Sequence, residues 1–179
     1  DLVANIPDNY VLLLDDEAIR KVTSVPYNAM NNPIIAVDTE TTGLDVYVDV
    51  IVGVSITLPS SDTHYYIPFK PTLDDRALPI EKLELLRTLI ESDVIGKVLH
   101  KANYDINMFK RHGIELNGLA WDTMTAMHVL NENEPSYALK NLATRYLGEP
   151  SDTFAELFGR NAKFAEVPLD IALVYAAKD

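Results

Sequence analysis

Short apolar runs bounded by turn-forming residues dominate the first 70 positions of the chain. Such runs are typical of β-strands, and they lie at 9–14, 34–38, 48–58 and 64–69. Acidic residues at 15–17 open a helix that we expect to end near Pro26. Because the turn at 59–63 and the other connections are short, we expect the last three of these strands to be antiparallel neighbours.

From Pro79 the apolar positions recur at intervals of three and four, which predicts an amphipathic helix. These positions are Ile80, Leu83, Leu86, Leu89 and Ile90. The elements expected after it are a strand at 94–99, a helix at 104–111, a strand at 116–121 and helices at 122–131, 137–147 and 168–179. This order predicts an α/β fold with a ribonuclease H-like mixed sheet, in which three antiparallel strands precede parallel strands and helices flank both faces.

The composition narrows the range of functions. With 179 residues, 47% of them apolar and 23% charged, the chain suits one globular domain with a single core. Its 15 basic and 27 acidic residues give a charge of −12, which argues against a protein that coats duplex DNA by neutralising phosphates. The lack of cysteine rules out disulfides and zinc–thiolate sites. Since no secretion signal and no apolar stretch of ~20 residues is visible, we expect a cytoplasmic protein without membrane contact.

A pair of acids ends the strand at 34–38. Asp38 and Glu40 are two positions apart, so strand alternation places both carboxylates on one side of the sheet. Neighbouring buried carboxylates repel each other unless a cation lies between them, and no lysine or arginine occurs between Lys21 and Lys70. The pair indicates a divalent-metal site, although a solvated strand end or a helix cap explains this short motif equally well on its own.

Two further acids can reach the same place. Asp105 follows the strand at 94–99 and opens the next helix, at the end of the sheet where Asp38 points. Asp179 and Tyr175 are four residues apart and share one face of the last helix. Taken singly, these residues read as a capping acid, a terminal charge and a half-buried core tyrosine. Taken together, they converge on one site.

The three motifs resemble those of the 3′-to-5′ proofreading exonuclease domain of family-A DNA polymerases, the bacterial DNA polymerase I group. The motifs lie at 38–44, 103–105 and 175–179, and flanking stretches at 52–55, 66–68, 121–124 and 139–143 agree. The resemblance implies that residues 1–179 form a single exonuclease domain, truncated at its last motif, from which the polymerase domain is absent. That polymerase domain is expected C-terminal to this segment in the parent chain.

The resemblance also implies a chemistry. It implies two Mg²⁺ or Mn²⁺ ions, whose ligands would be Asp38, Glu40, Asp105 and Asp179. Tyr175 would orient the attacking hydroxide, and because Val174 stands where related enzymes carry a histidine, the chain is similar to the tyrosine subclass. The product would be a nucleoside 5′-monophosphate, released from a single-stranded or mispaired DNA 3′ end.

The same resemblance implies substrate contacts for Thr39, Leu44, Lys101 and Asn103. Leu44 would act as a wedge near the terminal base. Lys101 and Asn103 occupy each other's expected places in the second motif, so a lysine is available at 101 to touch a phosphate.

Two alternatives remain open. A ribonuclease of the same superfamily would trim RNA 3′ ends, and activity on matched DNA and RNA oligomers discriminates between the two substrates. An inactive exonuclease-like scaffold of a polymerase would be expected to lack carboxylates, and all four are present.

Core packing is the expectation for the other large side chains near the motifs. They are Trp121, Met124, Met127, His128, Leu139, Leu142, Tyr146 and Phe154. Trp121 and Phe154 are also of the type that stacks on unpaired bases, but packing is the simpler interpretation.

Overall fold

A mixed sheet of six strands organises the computed structural model, which describes residues 3–179. The strands are β1 (Tyr10–Leu12), β2 (Ile34–Thr41), β3 (Ile51–Leu58), β4 (Thr63–Pro68), β5 (Gly96–Leu99) and β6 (Leu119–Asp122). Their order across the sheet is β1-β4-β3-β2-β5-β6. The mixed sheet expected from the sequence is therefore present.

The strand pairing follows the expectation at the centre of the sheet. β2 pairs antiparallel to β3 and β3 antiparallel to β4, whereas β5 lies parallel to β2 and β6 parallel to β5. β1 lies parallel to β4 at one edge, a placement that its three residues gave no means of predicting. β2 thus has a hydrogen-bonded neighbour on each side: it pairs with β5 along residues 34–36, and its pairing with β3 runs from Ala36 through Asp38 and Glu40.

Helices connect and cover these strands. Within residues 3–179 the α-helices are α1 (Asp16–Thr23), α2 (Arg87–Ile90), α3 (Ala102–Arg111), α4 (Thr123–Leu130), α5 (Leu139–Leu142), α6 (Phe154–Phe158) and α7 (Leu169–Lys178). A wider π turn over Ala143–Leu147 continues α5. No helix in this part of the chain combines the length and apolar character needed to span a bilayer.

Two helical segments differ from the sequence expectation. The helix predicted from Pro79 is a 3₁₀ helix over Ile80–Leu86 that passes into α2. Its buried residues Leu83 and Leu86 are three positions apart, which is the repeat of a 3₁₀ helix, while Leu89 and Ile90 are buried on α2. The short α6 was missed, although its sequence carries a signal for a helix start. Thr153 and Glu156 form a reciprocal capping box there.

Two apolar clusters bury the two faces of the sheet. One face, which includes Ile35 and Val37 of β2, packs against α1, α2 and α3. The other face packs against α7, with Val52 and Tyr66 among the strand residues that meet it. Since side chains alternate along β2, the face opposite Ile35 and Val37 receives the acidic side chains of the first motif.

Core packing was the wrong expectation for three of the side chains named above. Trp121 is 59% exposed, Tyr146 is 48% exposed, and His128 is exposed while stacking on Tyr137. The reason is their position: Trp121 lies on the edge strand β6, and neither α4 nor the π turn that carries Tyr146 buries any of its residues in the described part of the chain. Leu142 is buried as expected, and the half-buried residues of this set are Met124, Met127, Leu139 and Phe154.

Gly53 provides the space for a buried aromatic ring beside the acidic motif. It pairs with Glu40 across β2 and β3, and a Cβ at this position would lie 2.1 Å from the Tyr66 hydroxyl oxygen. Because the buried ring has no room to move, we expect Gly53→Ala to lower the free energy of unfolding by about 1–3 kcal/mol, measured by urea denaturation. In a Tyr66→Leu background the same change should cost much less, and equal costs in the two backgrounds would contradict this account.

Candidate active site

Three carboxylates meet where β2 and α7 come together. Asp38, Glu40 and Asp179 each place an oxygen within 4.8 Å of the others. Alternation along β2 aims the first two side chains at the α7 face of the sheet, and Asp179 directly follows the last residue of α7. The face of α7 that packs on the sheet carries small residues such as Ala172 and Ala176. The helix can therefore approach the sheet closely enough to bring Asp179 near Asp38 and Glu40.

Asp105 lies beside this group but is not one of the three. It is 2% exposed on α3, and one carboxylate oxygen accepts hydrogen bonds from the backbone N–H of Thr39 at 3.1 Å and from the Thr39 hydroxyl. Thr39 stands between Asp38 and Glu40 and points to the opposite face of the sheet. Thr39 therefore fixes the carboxylate of Asp105 next to the strand that carries the first two acids.

Burial raises the pKa values of these acids. The pKa of Asp38 lies well above its usual range because of burial first and then repulsion by Asp105, Glu40 and Asp179. Burial and the charge of Asp179 raise the pKa of Glu40 to about 8. Burial raises the pKa of Asp105 to about 6, although the hydrogen bonds from Thr39 oppose the shift. The protein groups around these acids therefore do not compensate for their burial and mutual repulsion, and the ionised form of each carboxyl is disfavoured.

The donor set fits a divalent cation. Every candidate ligand atom is a carboxylate oxygen, the type that Mg²⁺ and Mn²⁺ prefer. The Oε1 atom of Glu40 is buried and has no hydrogen-bond partner among the described residues. A cation at this position would satisfy that oxygen and relieve the repulsion within the group.

One lysine side chain contacts this group of acids. Lys140 of α5 pairs its ammonium with the carboxylate of Asp179, and the two side chains are only 11% and 14% exposed. The same ammonium lies 4.1 Å from the centre of the Tyr175 ring. Sequence reasoning missed this role, and the only signal was that Lys140 lies in one of the flanking stretches. Lys140 holds the last acid and the tyrosine in a fixed relation.

Tyr175 lies on the α7 side of the site. Burial first, and then the negative charges of Asp179 and Glu40, raise its pKa, so the hydroxyl keeps its proton at neutral pH. The ring is half-buried and packs edge-on against Phe154, with ring centres 5.9 Å apart. Both interpretations of this tyrosine, core residue and site residue, therefore describe part of its environment.

The residues expected to touch substrate differ in exposure: three are at the surface, and Thr39 is buried. Leu44 is 90% exposed, and Lys101 and Asn103 are exposed at the start of α3. Lys101 has a left-handed backbone conformation with φ of 61°, and its N–H donates to the carboxylate of Asp122. Thr39 is 7% exposed and uses its hydroxyl on Asp105, so the structure shows it positioning an acid, and a substrate contact stays a prediction.

Asp122 was not singled out from the sequence, yet it organises the second motif. Its carboxylate accepts from the backbone N–H groups of Lys101 and Ala102 at 3.1 and 2.9 Å. It also caps α4 by accepting from Met124 and Thr125. One side chain thus ties together the starts of α3 and α4.

A family model described as 3′-5′ exonuclease matches residues 10–179. The chain belongs to this exonuclease family. DNA polymerase I of Chloroflexus aurantiacus is 34% identical over 178 residues, which are 97% of this chain and 18% of that protein. The chain therefore spans less than a fifth of that relative's length. The family expected from the motifs is confirmed.

Solved structures of other exonucleases share the fold. Escherichia coli RNase D, described as an exoribonuclease, has a TM-score of 0.68 and 18% identity, covering 95% of this chain and 41% of that one. Brucella melitensis NrnC with bound Mg²⁺ has a TM-score of 0.61 and 22% identity, covering 87% and 70%. The ribonuclease H-like fold class is confirmed, and the exonuclease family to which this chain belongs is divalent-metal dependent.

The raised pKa values predict how stability of the metal-free exonuclease depends on pH. Glu40 and Asp105 hold protons in the folded state at pH values where the unfolded chain has lost them. The stability that these two carboxyls contribute is therefore largest below about pH 4 and falls as pH rises through their folded pKa values of about 6 and about 8, by at most about 1.4 kcal/mol per pH unit for each titrating carboxyl. Urea denaturation in chelator measures this slope. Glu40→Gln should remove the Glu40 part of this fall, and a stability difference between the wild type and Glu40→Gln that does not change between pH 5 and pH 8 would contradict the assignment.

Removal of the lysine in the site should change metal affinity. Lys140→Met deletes a positive charge next to Asp179, so we expect Mn²⁺ to bind roughly tenfold more tightly, while the metal-free protein becomes less stable. Titration calorimetry measures the affinity. Lys178→Met is the matched control, because that lysine is exposed on α7 and is not paired with the acids in the described structure. Unchanged or weaker Mn²⁺ binding in Lys140→Met would show that the lysine does not compete with the metal.

Proposed function

We propose that this chain is the proofreading unit of a family-A DNA polymerase, a 3′-to-5′ exonuclease that releases nucleoside 5′-monophosphates from single-stranded or mispaired DNA ends. The observation that carries the proposal is the convergence of Asp38, Glu40 and Asp179, with Asp105 held next to them by Thr39. Membership of the exonuclease family and the likeness to DNA polymerase I support the same activity.

The acids suit two Mg²⁺ or Mn²⁺ ions. Their ligands would be Asp38, Glu40, Asp105 and Asp179. When bound, such ions supply Lewis-acid stabilisation of the charge that develops around the phosphorus atom. The protein's contribution is to hold the carboxylates in place on a central strand and two packed helices, so that little rearrangement is needed when the ions and the substrate arrive.

Tyr175 is proposed as the group that orients the attacking water, which makes the chain a member of the tyrosine subclass. Its raised pKa keeps a proton on the hydroxyl, so the hydroxyl can donate a hydrogen bond. Its ring is held between the Lys140 ammonium and Phe154, which leaves few orientations for that hydroxyl.

The substrate contacts are proposed around the opening of the site. Leu44 would pack against the terminal base, because the residue is 90% exposed and so is accessible to a substrate. Lys101 and Asn103 would contact the phosphate and sugar of the end nucleotide from the start of α3. Thr39 would act on the substrate through the carboxylate of Asp105, whose position it fixes.

A larger protein is part of the proposal. The DNA polymerase I relative is more than five times as long as the matched segment, so we propose that residues 1–179 act as an exonuclease unit alongside a polymerase domain C-terminal to it in the parent chain. The preference for DNA rests on that relative. RNA 3′-end trimming is the competing outcome, and the ribonuclease structures share only the fold with this chain.

Release of mononucleotides from a 3′-labelled single-stranded DNA oligomer in Mg²⁺ or Mn²⁺ tests the proposed function. Asp38→Asn should reduce the rate by about 10²-fold or more, because a ligand to the ions loses its charge. Asp170→Asn is the matched control, since this acid is exposed in the first turn of α7 and should leave the rate unchanged.

The same assay separates the alternatives. Faster release from DNA than from an RNA oligomer of the same sequence supports the proofreading assignment, and the reverse order favours RNA trimming. No release from either oligomer, with the wild type and either metal, would leave the inactive scaffold as the better account.

A further inference from the structure

The loop at 42–50, which follows β2, presents large apolar side chains to solvent. Leu44 is 90% exposed, Tyr47 is 87% exposed and Val48 is 70% exposed. Leu44 already has a proposed role at the end nucleotide, but Tyr47 and Val48 do not. A tyrosine with so much of its ring in water contributes little to folding, so its position calls for a ligand-based explanation.

The loop is nevertheless held in a defined shape. The carboxylate of Asp49 accepts from the Thr42 hydroxyl and the Asp45 N–H, both at 2.8 Å, and the carboxylate of Asp45 accepts from the Tyr47 N–H at 2.9 Å. Gly43 is packed against Asp49 so closely that a Cβ would lie 2.6 Å from its carboxylate. The exposed side chains are therefore displayed by a preorganised loop.

Contacts from α3 fix the loop at both ends. The Tyr104 hydroxyl donates to the carbonyl of Gly43 at 2.7 Å and also bonds the Thr41 hydroxyl. The Arg111 guanidinium donates to the carbonyls of Val46 and Asp49. The loop and α3 thus form the two walls of one structural unit.

A surface pocket of about 390 Å³ lies between these walls. Its lining residues are Val46, Tyr47, Asn107, Lys110 and Arg111. In a chain of net charge −12, this is an aromatic ring next to two cationic side chains. Lys110 and Arg111 take part in no ion pair within residues 3–179.

The pocket lies along α3, the helix that also carries Asp105 and the proposed substrate contact Asn103. Asn103, Asn107 and Lys110 are spaced by four and three residues, so they lie along one exposed face of the helix. That face covers about 10 Å from Asn103 to Lys110 at the rise of an α-helix. One wall of the pocket follows the strand that bears Asp38, and the other is the helix that bears Asp105.

We propose that this pocket is a subsite for single-stranded nucleic acid, in which Tyr47 stacks on a base at least two nucleotides upstream of the 3′-terminal one and Lys110 binds an adjacent phosphate. The ligand class follows from the lining: an aromatic face suits any base, the cations suit the backbone, and the Asn107 amide supplies donors and acceptors. The choice of a nucleic-acid strand rests on the proposed exonuclease function. Arg111 both shapes the loop and adds positive charge.

Equilibrium binding of fluorescein-labelled DNA oligomers tests the subsite without catalysis. The protein is the Asp38→Asn variant, and the ligands are a dinucleotide and a hexanucleotide. We expect the hexanucleotide to bind more tightly than the dinucleotide. Tyr47→Ser should weaken hexanucleotide binding by about tenfold, the equivalent of one base stack, and leave dinucleotide binding unchanged. Tyr47→Trp should preserve the hexanucleotide affinity.

The lysine is tested by salt dependence. Lys110→Gln should make the slope of log affinity against log salt shallower by about 0.7, the value for one phosphate contact to a single strand. Lys21→Gln and Tyr146→Ser serve as controls, because these exposed residues lie on α1 and after α5, outside the pocket. Thermal unfolding of each variant shows whether the fold is retained.

The outcomes separate this proposal from the exonuclease proposal. The subsite proposal fails if Tyr47→Ser binds the hexanucleotide as tightly as the Asp38→Asn protein in which it is made. It also fails if that Asp38→Asn protein binds the hexanucleotide no more tightly than the dinucleotide. An RNA hexanucleotide that shows the same Tyr47 dependence keeps the subsite and changes only the strand it takes. A Tyr47 effect on binding in a protein whose wild type releases no mononucleotide would sustain the subsite while the catalytic assignment fails.

Discussion

The fold must hold several carboxylates close together against their mutual repulsion, and the rest of the structure depends on how it does so. Asp38, Glu40 and Asp179 are drawn together although burial and like charge both disfavour their ionised forms. What holds them is apolar packing remote from the charges, in the two clusters that fix β2 on one side and α7 on the other. The fold thus uses its hydrophobic stabilisation to maintain an arrangement that favours a positively charged ligand.

The parts of the fold that follow from local pattern were predictable. Apolar alternation and short turns gave the antiparallel order of β2, β3 and β4, and the two-residue spacing placed Asp38 and Glu40 on one face. The capping box of Thr153 and Glu156 shows that α6 also carried a local signal, which was overlooked.

Features set by contacts between distant segments were not predictable from one sequence. Lys140 lies 39 residues from Asp179, and nothing in the local sequence shows that the two side chains form an ion pair. The exposure of Trp121 depends on β6 being the last strand of the sheet. The same holds for Asp105: its sequence position indicates nearness to β2, but only the structure shows that it is bound to Thr39 rather than included in the close group of three.

The docking of α7 links the completion of the site to the order of synthesis. Asp179 lies roughly 140 residues after Asp38 and Glu40 in the chain, and a segment of that length takes about 7 to 30 s to synthesise at the usual rate of translation. Until α7 packs on the sheet, the strand that carries Asp38 and Glu40 can form, but the site lacks the carboxylate of Asp179. The group of three carboxylates is therefore incomplete in a nascent chain until α7 is in place.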